Sequence, residues 1–98
     1  MNTKLEKLLN NVIESSNKEM EFENVKKLTK YMSNKGLSFS MTLTDNNANN
    51  YKLPNDFPID NVFVKKVYIA VCDGDKKVFE SDSWEPKSKE NIYMFFYE

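Results

Sequence analysis

With 98 residues, 40% of them hydrophobic and 13% aromatic, the chain is long enough to close one hydrophobic core and leaves no room for a second domain. The formal net charge is only −1, but the charged set is unusual: there is no His, and all 14 basic residues are Lys. This composition excludes a Ser-His or Cys-His nucleophile pair, an imidazole base near neutral pH, a His-containing zinc site and a guanidinium clamp on phosphate or carboxylate.

The chain also has no Gln and is rich in Asn and Lys, the pattern of an AT-rich coding sequence, which accounts for part of the bias without restoring the excluded chemistry. The single cysteine, Cys72, offers neither an intramolecular disulfide nor a thiolate zinc site, so no oxidising compartment is required. The N-terminus turns amphipathic at once, unlike the continuous apolar core of a signal peptide, and no run reaches membrane-spanning length. A cytoplasmic protein without a membrane partner and without cofactor or metal is the expectation.

In chain order, Leu5, Leu8, Leu9, Val12 and Ile13 share one helical face over residues 3–14, with Thr3 and Glu6 in a capping-box pattern. Continuing that stripe would place Ser16, Glu19, Met20, Glu23 and Lys27 inward, so a break is predicted near Ser15-Ser16-Asn17 and spans 15–21. A second stripe, Phe22, Val25, Leu28 and Met32, defines a second helix, which Asn34-Lys35-Gly36 ends with a glycine able to take a left-handed cap. From Leu37 the period becomes two: Leu37, Phe39, Met41 and Leu43 alternate with Ser38, Ser40, Thr42 and Thr44, a strand with one apolar and one hydroxylic face.

Residues 45–61, rich in Asn, Asp and Pro, read as a long loop with a short strand at Tyr51-Lys52-Leu53. Val62 to Cys72, the turn Asp73-Gly74-Asp75 and Lys76 to Ser81 form a β-hairpin. Pro86 interrupts pairing before a last strand expected over Asn91 to Tyr97. The expected fold is α+β: two N-terminal amphipathic helices packed on a mainly antiparallel sheet of about four strands, in α-α-β-β-β-β order, with Phe22, Phe39, Phe63, Phe79, Phe95 and Phe96 supplying an aromatic-heavy core.

The densest charge feature is acidic: Asp73, Asp75, Glu80, Asp82 and Glu85, relieved by Lys76 and Lys77. It lacks the ligand spacing and sixth-position glycine of a helix-loop-helix calcium site. Its functional reading is a face that imitates nucleic-acid phosphate and docks on the basic groove of a nucleic-acid enzyme; its plain reading is hairpin chemistry beside solubilising charge. Cys72, with no His to activate it, reads as a packed thiol, and the clustered acids look solvated rather than tuned for acid-base work, so no enzyme is expected.

The last strand would put large side chains on both sheet faces. Either the helices cover one face and the long loop or Trp84 the other, or Trp84, Tyr93, Phe95 and Tyr97 form an aromatic edge for a partner, including a second copy joined through that strand. The favoured expectation is a non-enzymatic protein-binding module, a stoichiometric inhibitor or regulator of a bacterial or phage enzyme, as anti-restriction and anti-CRISPR proteins are. The alternatives are a nucleic-acid-binding regulator using Lys18, Lys26, Lys27, Lys30 and Lys35, and a toxin-immunity protein.

Overall fold

The computed structural model describes residues 3–57 and 64–97. Two helices, α1 (Thr3–Ile13) and α2 (Lys18–Asn34), precede a four-stranded antiparallel sheet of β1 (Ser38–Asp45), β2 (Asn50–Leu53), β3 (Val64–Asp73) and β4 (Lys76–Trp84), and a short helix α3 (Lys89–Tyr93) follows. The strands lie in the order β2-β1-β3-β4, so each strand neighbours the one its hairpin supplies, except that β3 returns across β1. The expected start of the third strand at Val62, the core candidate Phe63 and loop residues 58–61 lie outside the described residues.

The break between the helices is shorter than the sequence suggested, because Asn17 caps α2 by accepting from the Met20 backbone N–H at 2.8 Å and lets the helix begin at Lys18. Asn24 ties the turn from the second helix, donating to the Asn11 carbonyl at 3.1 Å and to Ser15 Oγ at 2.9 Å. At the other end Gly36 takes φ +66°, with Gly36 N–H donating to the Ser33 carbonyl and Leu37 N–H to the Met32 carbonyl. That is the paired bonding of a glycine-terminated Schellman cap.

Leu5, Leu9 and Val12 of α1 and Val25, Leu28 and Met32 of α2 are buried against Met41, Leu43, Val67, Ile69 and Val71 of the sheet. One expectation for α2 is corrected. Phe22 is only half-buried, shielded by the Lys26 ammonium 5.1 Å above its ring, while Glu21 occupies the fully buried position of that stripe. The core is accordingly mainly aliphatic around two rings, Trp84 and Phe95, the latter as expected: Phe39, Phe79 and Phe96 pack only on the margin.

One sheet face carries this core. The other presents Ser38, Ser40, Thr42 and Thr44 of β1 beside Tyr68 and Cys72 of β3, as the alternation required. The short strand expected at Tyr51-Lys52-Leu53 is present as β2, and the residues before it form a tight turn rather than an open loop, so that Thr44 pairs with Asn50 and Met41 with Leu53.

The last strand is replaced by a helix. Ser88 caps α3 by accepting from Asn91 N–H at 3.2 Å, and the chain turns on through Met94, Phe95 and Phe96. A helical turn resolves the conflict that a strand would have created: Ile92 and Phe95, three residues apart, both turn inward and are buried. The covering role fell partly to the loop after β2, since Phe57 lies edge-on to Tyr93 at 4.9 Å and to Phe96 at 5.6 Å.

Candidate functional site

Of the acidic residues, Glu80 and Asp82 lie on β4, which is a sheet edge, while Asp73 ends β3, Asp75 sits in the turn between the two strands and Glu85 follows β4. Asp73 pairs with Lys76 across the hairpin turn, where Gly74 takes φ +63° at the first turn position, leaving Asp75 exposed at the tip. Glu80 stands opposite Ala70 on the open sheet face, and Asp82 and Glu85 follow toward the far end, both exposed. At about 3.3 Å per residue, the span from Asp75 to Glu85 is roughly 30 Å.

Glu80 differs from the other four acids. It accepts a short hydrogen bond from Tyr68 Oη and pairs with Lys77 Nζ at 3.1 Å. The Tyr68 bond first, and then the Lys77 bond and charge, hold the Glu80 carboxyl below its ordinary pKa. The same Glu80 bond raises Tyr68, and the bonds to Glu80 and then Tyr68 raise Lys77. Asp73, Asp75, Asp82 and Glu85 have no ion-pair partner among the described residues, so their charge faces solvent uncompensated. They line an edge and do not converge: no group of three His, Cys, Asp or Glu among the described residues could hold a metal ion.

Both sheet edges resist strand addition. The edge strand β2 is only four residues long, and the pairing of β4 with β3 shifts register between Val67 and Ile69 and again between Val71 and Cys72. Short strands, irregular pairing and charge are the usual guards of an edge. Self-association through a last strand therefore loses its basis, because residues 91–97 form no strand and the strands that do end the sheet are guarded.

The four aromatic candidates are not brought together on the surface. Trp84 and Phe95 are buried and meet edge-on at 5.5 Å inside the core, and Tyr93 is half-buried beside Phe57. Only Tyr97, 60% exposed, offers its ring to solvent. The basic residues of α2 are partly engaged: Lys26 pairs with Glu23 at 2.9 Å, and the Lys35 ammonium lies 5.9 Å from the centre of the Tyr31 ring.

Two polar centres escaped the sequence reading. Glu21, fully buried, accepts at Oε2 from Trp84 Nε1 at 3.0 Å and at Oε1 from Lys87 N–H at 2.9 Å and Asn91 Nδ2 at 2.7 Å. Its signal was a carboxylate four, seven and eleven residues before Val25, Leu28 and Met32, on the inward stripe. Asp45 closes the β1–β2 turn: Oδ1 accepts from the Asn47 and Asn49 amides, and Oδ2 from the Asn49 side chain and Tyr51 Oη. Burial, the largest single influence, pushes its pKa up, but the combined bonds from Asn49, Tyr51 and Asn47 outweigh burial and leave the carboxyl below its ordinary value. No protein-family model, no curated protein and no solved structure matches the chain.

Proposed function

We propose that this is a small non-enzymatic protein-binding module, a stoichiometric inhibitor or regulator, which sets the acidic β4 edge against a basic surface of its partner. The groove of a nucleic-acid enzyme is the surface such an edge fits, because a line of unpaired carboxylates meets the same lysines and arginines that hold a phosphate backbone. One observation carries this reading: Asp75 in the β3–β4 turn, Asp82 on the edge strand β4 and Glu85 just beyond it are exposed, as is Asp73 at the end of β3 beside the turn, and none has an ion-pair partner among the described residues. Uncompensated charge of one sign steers association with an oppositely charged partner and weakens with salt.

The rest of the chemistry agrees with binding rather than turnover. The chain contains no His or Arg, and the pKa of Glu80 is lowered by surface partners, Tyr68 and then Lys77, that strengthen its charged form. Among the described residues no helix is long and apolar enough to cross a membrane, and Cys72 is a free thiol. On this reading the partner is cytoplasmic, in a compartment where a free thiol is ordinary.

The test uses two baits, the wild-type chain and the triple variant Asp75→Lys, Asp82→Lys, Glu85→Lys, each incubated with nuclease-treated host lysate and read by mass spectrometry. The wild type should retain a partner that the variant loses, with the two thermal midpoints within a few degrees because exposed substitutions shift stability by about 0.5 kcal/mol or less each. Equal retention of the same partner by both baits contradicts the acidic-edge reading. Recovery that disappears with nuclease moves the activity to the lysines of α2.

A further inference from the structure

The chain beyond Trp84 is joined to the rest of the protein in an unusual way. Its turn and helix close their backbone hydrogen bonds within the segment: Met94 N–H donates to the Glu90 carbonyl, Phe95 to Ile92, and Phe96 and Tyr97 to Tyr93. It contributes no strand to the sheet, and at five residues α3 is too short to persist by itself. Polar attachment to α2 runs through Glu21 Oε1, which receives both the Lys87 amide and the Asn91 side chain, and through the Lys18 carbonyl, to which Asn91 Nδ2 also donates at 3.1 Å. Apolar attachment runs through Ile92 and Phe95, through the contacts of Phe39 with Phe95 at 5.3 Å and Phe96 at 5.1 Å and of Trp84 with Phe95 at 5.5 Å, and through Phe57, which meets Tyr93 at 4.9 Å, Phe96 at 5.6 Å and Tyr97 at 5.7 Å.

We propose that residues 85–97 form a strap that opens and closes over the Phe39 and Trp84 side of the core as one unit, with the Glu21 carboxylate as its catch. The catch is preset by the body of the protein: Trp84 Nε1, on β4 and outside the strap, holds Glu21 Oε2 and aims Oε1 at the incoming donors. Closure is driven by burying Ile92 and Phe95, and it is opposed by taking a carboxylate with no ion-pair partner among the described residues out of water. Opening returns water to that carboxylate, so a carboxylate catch releases more readily than an apolar plug of the same size. Fixed donor positions give the strap one seat when it closes. Sub-global units of this kind open below the free energy of global unfolding. This inference is independent of the β4 reading.

Native-state hydrogen exchange of the full chain, read by mass spectrometry, tests it. Amides of 87–97 should exchange at least tenfold faster than those of β3. Val12→Ala, a core change in α1 outside the strap, should accelerate β3 amides and leave the strap unchanged. Glu21→Gln, which puts an amide donor among the donors of the catch, should accelerate the strap about tenfold. Should strap and β3 exchange at one rate in the wild type, or should Val12→Ala accelerate both by one factor, the segment is part of a single cooperative unit and the proposal is overturned.

Discussion

Glu21→Ala should lower the unfolding free energy by about 3–5 kcal/mol, the range found when one partner of a buried charged network is removed. Three donors meet at this carboxylate, the Trp84 indole, the Lys87 amide and the Asn91 side chain. Each donor left buried without an acceptor costs roughly 1–3 kcal/mol, and water entering the small void recovers part of that. Glu21→Gln should be milder, since one oxygen acceptor survives. The chain has a single Trp, at position 84, so urea unfolding followed by its fluorescence reports from the network itself. A loss under about 1 kcal/mol for the alanine variant would mean that the donors are satisfied elsewhere and that Glu21 holds nothing together.

Trp84→Ala should cost about 3–5 kcal/mol, the usual penalty for truncating a buried aromatic, because the ring is fully buried and its indole N–H is part of the same network. Tyr97→Ala, at the most exposed ring in the described chain, should change stability by about 0.5 kcal/mol or less. Circular dichroism in urea compares the two without relying on Trp fluorescence. Similar small losses for both would place Trp84 at the surface and return it to the set of candidate partner contacts.

The parts of the fold that were legible in the sequence are those with a clean period. The apolar spacing of α1, the strict alternation of β1 and the Asp73-Gly74-Asp75 turn each pointed to one structure, and the two helices, the antiparallel sheet and the hairpin followed. The C-terminal run failed because Ile92 to Tyr97 is apolar at nearly every position, which suits a strand and a helix equally. Two local signals favoured the helix: Ser88 stands where it can cap the Asn91 amide, and Ile92 and Phe95 have helical spacing. The stretch after β1 was read as a long loop around a short strand at Tyr51-Lys52-Leu53; the strand formed as β2, but the tight turn before it was not legible, because Asn and Asp mark turns without specifying them. What shortens it is the Asp45 carboxylate, which gathers donors from Asn47, Asn49 and Tyr51 and is visible only once the hairpin has formed.

The candidate site was half legible. That the acids lie beside a tight turn could be read directly, but whether they share an edge depends on which strand ends the sheet, and the expected last strand hid that β4 does. Trp84 was misplaced among surface aromatics for a related reason: its burial depends on Glu21, 63 residues earlier in the chain, and no local pattern links the two.

Hydrogen exchange of the protein in complex with the partner that the wild-type bait retains, compared with the free protein, reads the contact surface most directly. Slowed exchange confined to β4 and its flanking residues, Asp73 to Glu85, is the predicted result; slowed exchange along Lys26 to Lys35 of α2 with β4 unchanged would contradict the acidic-edge function.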